Sequence, residues 1–594
     1  MFEKVWQQKQ TLALNKPESG RIWPKAGNEA WHKIDETKKN LILSWGVESM
    51  AAGYPALLAR DFLSFTRTGN RRVWETPYFA RRKALIGTAL SECLEHSDEK
   101  IDFVIDGLWL ICEESGWMIS AHNNKGNAGE ESKPLPDKSD PIIDLFAAQT
   151  AATLSVIVYL LRERLDQVTP MIADRVLAEI RERILVPFLT RQDYFWMGWT
   201  RKILINWTPW ILSNILLTAQ YSLDHTWELD ALVRKAFLIL DRYMDSLPED
   251  GGCDEGTAYW NMAGGSLLDC LESLFEMSGS TMDFYHEPKI RQVALFPARA
   301  HIAGPWFWNF ADCDARPKLD GERLYTFGCR IESQELKALG AYMGSNVLLR
   351  DTPQISRVMN ALFSRIPEGS DPEAPDSVDL PDLQVYERRK KRLILVIKGG
   401  HNGESHNHND VGNFILYADG NPILVDAGNM VYTRKTFSEE RYTLWNVRSL
   451  YHNLPFFGQG IEQKAGEAFR ASCIKAGPDR IEMELASAYG YPNLLSLRRT
   501  VEVSENRISL RDCAVLKEAE SMTSVLMTWI RPEEKDGVFR IGPVRMEGVH
   551  HCSIEIIPVQ DERMAENYPG CLYRILIHNQ PSVEHTESFR WVLE

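Results

Sequence analysis

A short segment, residues 399–410, concentrates the side chains best suited to chemistry. Its sequence, GGHNGESHNHND, holds three of the chain's 14 histidines: His401, His406 and His408. The residues that follow it predict a strand, a tight turn and a second strand. Because side chains alternate along a strand, His406 and His408 are predicted to point to the same face.

Two imidazoles on one face form the beginning of a metal site. The carboxylate of Asp426 returns on the next predicted strand, and His452 could complete a set of ligands that suits a divalent metal. The same His-x-His spacing also occurs where the pair only lines a polar sheet face. The residues alone therefore leave both interpretations open.

Composition narrows the class of protein and of ligand. The chain has 594 residues, of which 44% are hydrophobic and 25% charged, enough for two or three globular domains. Its formal net charge of −15 argues against nonspecific nucleic-acid binding, which needs a basic face. An anionic ligand remains compatible, because the local field in a cleft can oppose the global charge. The 18 tryptophans favour a carbohydrate ligand, since flat aromatic faces stack on sugar rings.

Targeting signals and cysteine usage predict a cytoplasmic protein. No apolar run reaches the roughly 18 residues that span a bilayer, so no membrane partner is predicted. The N-terminus, MFEKVWQQ, has no hydrophobic signal core, although a protein whose signal had been removed would be secreted or periplasmic. The 10 cysteines form no CxxC pair and are interpreted as reduced core residues. The oligomeric state stays open, with a homodimer as one option.

The pattern of apolar and polar residues changes near residue 370. Before it, amphipathic helical runs such as 209–222, 226–247 and 257–278 are separated by short polar or Gly/Pro joints, as in antiparallel helix hairpins. After it, short alternating or apolar runs bounded by turn residues predict antiparallel strands in a β-sandwich. We predict an α+β protein with a helical domain over residues 1–370 and a β domain over 371–594.

This order of halves, with a β half that opens on His-x-His-x-Asp-x-Gly-x-Phe, resembles the heparinase II/III family of polysaccharide lyases. The resemblance implies an incomplete (α/α) toroid joined to an antiparallel β-sandwich. It also implies β-elimination on a uronic-acid polysaccharide, with glycosaminoglycans (heparan sulfate, chondroitin sulfate, hyaluronan) as the leading class. An alginate lyase of the same mechanism and a noncatalytic oligosaccharide-binding protein are the alternatives. A hydrolase would need two well-placed carboxylates, and Asp254 and Glu255 offer only an adjacent pair.

The resemblance further implies roles for individual residues. His406 occupies the position of an active-site histidine. His408, Asp426 and His452 occupy the positions of three zinc ligands. Tyr259 follows a Gly-containing loop at a helix start, which is the position of a catalytic tyrosine.

A second group of positions concerns the substrate. Asn206 precedes a predicted helix, at a position where the family carries an Asn or His, and the resemblance implies that it is catalytic. Several family members have a histidine next to it, whereas this chain has Trp207, which is expected to stack on a sugar ring. His401 and Glu404 flank the motif and shape either the pocket or only its turn. The guanidinium group of Arg448 could bind a carboxylate or a sulfate. Alternatively, Arg448 is a solvated surface residue.

The chemistry explains why such residues are needed. A uronate lyase removes the C5 proton beside a carboxylate, so it must neutralise that carboxylate and stabilise the enolate-like state. The amide of Asn206, in the loop before a helix capped by Thr208, can donate a hydrogen bond there without acting as a base. Tyr259 can act as both base and acid if positive neighbours lower its pKa from about 10. His406 is the base if a second group must act from the opposite face of the ring.

Overall fold

The computed structural model describes residues 1–9, 20–126, 132–201, 204–223, 226–344, 354–373, 375, 377–433, 435–535 and 538–594. Within these ranges the chain forms a helical N-terminal region followed by antiparallel sheets, which confirms the predicted fold class. The last helix before the sheets ends at Phe363, and the first strand of the sheets begins at Ser377.

Helices that pack as neighbouring pairs build the N-terminal region. They are α1 Phe2–Lys9, α2 Glu36–Ala52, α3 Ala59–Phe62, α4 Ser64–Thr68, α5 Arg72–Leu94, α6 Asp98–Cys112, α7 Leu145–Val168, α8 Met171–Ile180, α9 Val186–Thr190, α10 Trp207–Ser222, α11 Thr226–Ser246, α12 Thr257–Trp260, α13 Gly264–Met277, α14 Pro288–Ala300, α15 Gly321–Arg330, α16 Gln334–Met343 and α17 Ile355–Phe363. Helix α10 packs against both α7 and α13, which places its N-terminus beside α12 in the site described below.

Two local predictions for these helices need correction. The run 257–278 is split into α12 and α13, because consecutive glycines at the start of α13 weaken helix propagation. Thr208 is not an N-cap: α10 already begins at Trp207, and the buried Thr208 hydroxyl donates to the main-chain oxygen of Trp196 at 2.7 Å.

Helix α7 contradicts the expectation that no apolar run is long enough to span a bilayer. It is long and apolar enough to cross a membrane, with a mean hydropathy of 1.5 over 18 residues, but 83% of that window is buried inside the protein. Such burial is typical of a core helix. The cysteines also differ from the prediction, because four are buried but Cys329 and Cys473 are exposed.

Antiparallel strands build the C-terminal region, while the short hairpin β1 His301–Ala303 and β2 Trp306–Phe307 belongs to the helical half. The remaining strands are β3 Ser377–Leu380, β4 Val385–Arg389, β5 Leu393–Lys398, β6 His401–Asn402, β7 Phe414–Ala418, β8 Asn421–Leu424, β9 Pro455–Phe457, β10 Gly466–Arg470, β11 Ser472–Ala476, β12 Arg480–Glu484, β13 Leu494–Ser504, β14 Arg507–Glu520, β15 Met522–Thr528, β16 Glu533–Lys535, β17 Val538–Ile541, β18 Val544–Glu547, β19 Cys552–Pro558, β20 Cys571–His578 and β21 Ser582–Leu593. Two short helices, α18 Ala486–Tyr489 and α19 Glu562–Asn567, interrupt them.

The main sheets have strand orders β3-β4-β5-β7-β8, β11-β12-β13-β14-β21-β18-β17-β16 and β19-β20-β15-β9. Alternate residues of β5 belong to different cores. Ile394 and Val396 join the core of the helical region, whereas Leu395 and Ile397 join the core shared with the eight-stranded sheet. The five-stranded sheet is therefore a middle layer, and the loops that leave its strands can reach the helical half.

Candidate active site

The histidine motif lies in a loop between β6 and β7 and not on a strand. The prediction that His406 and His408 share one strand face is therefore wrong. The His406 backbone has a φ of +53°, a left-handed conformation that residues other than glycine seldom adopt. Such a conformation costs on the order of 1–3 kcal/mol and persists where the surrounding contacts hold it. Here those contacts come from the helical half.

Asp312, from the helical half, joins the two histidines. Its Oδ2 lies 2.9 Å from His406 Nδ1, and its Oδ1 lies 3.1 Å from His408 Nε2. Arg441 Nη2 also donates to Oδ1, at 2.7 Å. Burial by itself would raise the pKa of Asp312, but the hydrogen bonds from the two histidines outweigh it and hold this pKa well below its usual range. Asp312 is therefore ionised and can only accept hydrogen bonds.

An acceptor that cannot donate determines where the ring protons lie. His406 donates through Nδ1–H and His408 through Nε2–H, so Asp312 selects one tautomer for each neutral ring. The lone pair of neutral His406 is then on Nε2, and that of His408 is on Nδ1. One carboxylate thus sets the positions of the ring protons of both histidines.

Tyr259 approaches His406 from α12. The centroids of the two rings lie 4.8 Å apart. The Tyr259 hydroxyl is hydrogen-bonded to the Tyr432 hydroxyl, which donates to Asp312 Oδ2 at 3.2 Å. The Tyr432 hydroxyl therefore links Tyr259 to Asp312.

The protonation state of Tyr259 differs from the prediction. Burial raises the pKa of its phenol above the ordinary value, and the hydrogen bond from the Tyr432 side and the charge of Arg563 offset this only in part. Burial therefore outweighs the positive neighbours among the described residues, contrary to the expectation that they make the phenolate accessible. Tyr259 is held as a proton donor.

Gly256 allows α12 to lie this close to Asp312. Its φ is +84°, and a Cβ at this position would lie 2.5 Å from the Cβ of Cys313. Ala258 N also donates to Cys313 Sγ at 3.4 Å. The glycine therefore permits the close contact between the loop before Tyr259 and the chain segment that carries Asp312.

Glu255 connects Asn206 with the histidine loop. Asn206 Nδ2 donates to Glu255 Oε2 at 2.7 Å, and Ser405 Oγ donates to Oε1 at 3.1 Å. His406 Nε2 lies 3.9 Å from the same Oε1. Burial raises the pKa of Glu255 to about 7, although the charge of His406 opposes the shift. Asn206, Tyr259 and His406 therefore come together at the boundary between the two halves.

The predicted metal ligands also meet. His408, Asp426 and His452 are fully buried, and they offer ligand atoms that all lie within 4.8 Å of one another. His408 Nδ1 and both ring nitrogens of His452 have no hydrogen-bond partner among the described residues, and His452 Nδ1 lies 2.9 Å from Asp426 Oδ2 without hydrogen-bond alignment. Unpartnered buried nitrogens are costly. Asn413 Nδ2 and Gly428 N hold the Asp426 carboxylate at 2.6 and 2.8 Å. Two imidazoles and an oriented carboxylate fit a zinc ion.

Two of the predicted binding residues lie near Asn206. His401 and Glu404 line a cavity of about 290 Å³ together with Asn206 and Glu255. Glu404 Oε2 also lies 2.9 Å from the ammonium of the buried Lys398. Glu404 therefore has a structural partner, and His401 Nδ1 accepts from Gly403 N at 3.2 Å.

The other two predicted binding residues are engaged elsewhere. The Trp207 ring is half-buried, with its centroid 4.6 Å from that of His122 and 5.0 Å from that of Phe195. The Arg448 guanidinium donates to Glu462 Oε1 at 2.7 Å. Neither side chain contacts Asp312 or Tyr259 in the described part of the chain, so their binding roles stay predictions.

Sequence reasoning missed Asp312, Tyr432 and Arg441, and it considered Glu255 only as half of a hydrolase pair. Asp312 carries no local signal, because its role comes from contacts with residues about a hundred positions away. The sequence did contain a signal for Glu255: it is an acidic residue in the Gly-containing loop before α12, four positions ahead of Tyr259.

Comparison with known proteins agrees with this architecture. Residues 372–588 match the family model for the Heparinase II/III-like C-terminal domain. The crystal structure of a heparinase III aligns with 100% of this chain and 91% of its own, with a TM-score of 0.64 at 14% identity. For the heparan sulfate lyase HepC from Pedobacter heparinus the coverages are 100% and 87%, with a TM-score of 0.58 at 13% identity.

A chondroitin AC lyase from Streptomyces coelicolor A3 aligns over 100% of this chain and 82% of its own, with a TM-score of 0.52 at 9% identity. No curated protein matches by sequence. At these identities the structural likeness shows the fold, a helical toroid joined to a β-sandwich. Together with the family match it confirms the resemblance: residues 372–588 are similar to the C-terminal domain of the heparinase II/III-like family.

Proposed function

We propose that this protein is a lyase that cleaves a uronate polysaccharide by β-elimination, with glycosaminoglycans as the leading substrate class. The observation that carries the proposal is the shared network of Asp312, His406, Tyr432 and Tyr259, which Glu255 extends to Asn206. Elimination beside a uronate carboxylate needs a neutralising group, a base for the C5 proton and an acid for the leaving oxygen. The network offers residues for all three tasks.

Asn206 and Glu255 neutralise the sugar carboxylate. An amide nitrogen carries two N–H donors, and only one is used on Glu255. Because the pKa of Glu255 is about 7, much of this residue is protonated near neutral pH. In that form it donates a hydrogen bond to an incoming carboxylate and does not repel it.

His406 and Tyr259 divide the proton transfers. Burial by itself would lower the pKa of His406, but the hydrogen bond to Asp312 and the charge of that carboxylate raise it, and Glu255 adds to the rise when it is ionised. Its Nε2 takes the C5 proton. Tyr259, which burial keeps protonated, donates a proton to the leaving oxygen. Tyr432 holds the Tyr259 hydroxyl in place.

A divalent metal, with zinc as the first expectation, belongs to the same proposal. His408, Asp426 and His452 would hold it. The bound ion would supply positive charge and a rigid tether beneath the loop that carries His406. Asp312 would act as the partner that orients the His408 ligand.

One experiment tests the proposed reaction. The purified protein is incubated separately with heparan sulfate, chondroitin sulfate, hyaluronan and alginate, and the ultraviolet absorbance of the unsaturated uronate is followed. At least one polymer should produce this absorbance, and the Tyr259→Phe variant should produce none. Binding of these polymers without any absorbance would contradict the lyase and favour a noncatalytic binding protein.

A further inference from the structure

A second cavity borders Tyr259. It has a volume of about 410 Å³ and shares no lining residue with the cavity that holds Asn206 and Glu255. Tyr259 contributes from α12, Arg316 from the segment that follows Asp312, and α19 of the β half closes the cavity. A polysaccharide whose cleaved linkage lies at Tyr259 therefore has this cavity beside it.

Basic side chains outnumber acidic ones around this cavity, with Arg316, Lys318 and Arg563 facing Asp314 and Glu566. Arg563 is neutralised by Asp314, to which its Nε and Nη2 donate at 2.9 Å each. Lys318 lies 2.9 Å from Glu566, but both side chains are largely exposed, at 83% and 64%. Exposed pairs of this kind contribute little.

Arg316 has no carboxylate partner among the described residues. Its guanidinium donates to the main-chain oxygens of Glu566 and Asn567, and its Nε has no hydrogen-bond partner in the described part of the chain. Its guanidinium carbon lies 5.2 Å from the ring centroid of Trp306. Main-chain oxygens and an aromatic ring carry no net charge. The cavity therefore keeps one uncompensated positive charge in a protein whose formal net charge is −15.

We propose that this cavity is an anion subsite, in which Arg316 receives the sulfate ester or carboxylate of the sugar next to the cleaved linkage. The inference rests on the proposed lyase function, because that function places the linkage at Tyr259. A guanidinium presents several donors in a planar fork, which suits the oxygens of either anion. In a sulfated glycosaminoglycan the sugar beside a uronate is a hexosamine, whose anionic group is a sulfate. In a polyuronate the neighbouring sugar carries a carboxylate.

A subsite of this kind sets specificity. The anionic group lies one sugar away from the bond that breaks, so Arg316 contacts it equally in the ground state and in the transition state. Loss of Arg316 should therefore raise KM and leave kcat nearly unchanged. This distinguishes Arg316 from Asn206, whose hydrogen bond strengthens as charge moves onto the reacting carboxylate.

Binding to the inactive Tyr259→Phe protein tests the subsite separately from turnover. Calorimetry with a sulfated heparan tetrasaccharide, its desulfated counterpart and an alginate tetrasaccharide is compared before and after Arg316→Gln. Loss of one charge-assisted contact should weaken binding by about tenfold or more. Arg480→Gln is the matched control, because Arg480 is an exposed arginine already paired with Glu482 and Glu502, and it should change nothing.

The pattern of losses identifies the anion. A loss confined to the sulfated probe assigns a sulfate, and a loss confined to the alginate probe assigns a carboxylate. No loss, an equal loss on all three probes, or failure of every probe to bind would overturn the subsite. Because Arg316 also holds α19, Arg316→Lys and the melting temperature of each variant are measured. Lysine should recover part of the affinity; if it binds as weakly as glutamine, the charge is not what the ligand recognises.

The two proposals fail in different ways. Binding that depends on Arg316 without any ultraviolet absorbance would refute the lyase and keep the anion subsite. Absorbance with no dependence on Arg316 would refute the subsite and keep the lyase.

Discussion

Replacement of Glu255 by glutamine isolates the role of its raised pKa. Glutamine keeps the size of the side chain and an oxygen that accepts from Asn206, but it cannot ionise. In the unmodified protein, Glu255 is buried against Asn206 and Ser405 and has a pKa of about 7. Above that pH it becomes a carboxylate facing the carboxylate of the substrate. Ionisation should therefore weaken substrate capture as the pH rises, and Glu255→Gln should remove this effect.

The size of the effect follows from the pKa. A carboxyl group with a pKa of about 7 is about half protonated at pH 7, about one part in eleven at pH 8 and about one part in a hundred at pH 9. If only the protonated form accepts substrate, the ionisation of Glu255 alone should lower kcat/KM about fivefold from pH 7 to 8 and about tenfold from pH 8 to 9, and the rising neutral fraction of His406 should offset part of the first fall. On the acidic side, His406 must be neutral to act as base. Since its pKa is raised above the usual value, kcat/KM should also fall as pH decreases, and the wild-type profile should be a narrow bell.

Initial rates at low substrate concentration, measured by absorbance across pH 5 to 9.5, test this reasoning. Glu255→Gln should lose the alkaline limb and keep the acidic limb. Circular dichroism at each pH serves as the control for folding. If wild-type kcat/KM stays level up to pH 9, or if Glu255→Gln declines as steeply as wild type, the protonated carboxyl group has no role in capturing the substrate.

Further substitutions test the other parts of the site. Tyr259→Phe should abolish turnover without lowering the melting temperature, because it removes one hydroxyl from a packed ring; near-normal turnover would contradict its role as the acid. Asn206→Ala should lower kcat by about 10²–10³-fold with a smaller change in KM, as for loss of one oxyanion donor, and an effect on KM alone would make it a binding residue. His408→Ala should abolish stoichiometric zinc in metal analysis and lower the melting temperature, whereas unchanged stoichiometry would refute the site. Asp312→Asn should reduce both zinc content and turnover, and a loss of turnover with full zinc content would show that it serves His406 alone.

The sequence predicted the helices and strands better than it predicted the loops between them. Helical periodicity located α11 well, because an amphipathic stripe is a local property of the chain. The bounds of α10 were also close, although this helix is buried on nearly all sides. The strand-turn-strand that became β7 and β8 was also readable from alternation and the Asp-Gly turn. The same alternation was extended too far toward the N-terminus, because nothing local indicates that His406 takes a positive φ.

The candidate site shows the same limit. The ligand types of His408, Asp426 and His452 and their positions around two strands were sufficient to predict that they meet, and the structure brings them together. Asp312 could not be found this way, since its importance comes only from the packing of the helical half against the β half. The pKa of Tyr259 was misjudged for a related reason: neighbouring charges are suggested by sequence, but the degree of burial is not.

Asp312 links the residues that we propose to bind a metal with those that we propose to transfer protons. Its two oxygens are shared among His406, His408, Tyr432 and Arg441, so any displacement of the carboxylate affects the proposed base, the proposed ligand and the hydroxyl chain to the proposed acid at once. Arg441 also donates to the main-chain oxygens of His406 and Asn407, which fixes the loop itself. A metal that tightens His408 would therefore stiffen His406 through Asp312 without touching the substrate. This arrangement predicts that loss of the metal changes the geometry of the base before it changes the fold of the sheet.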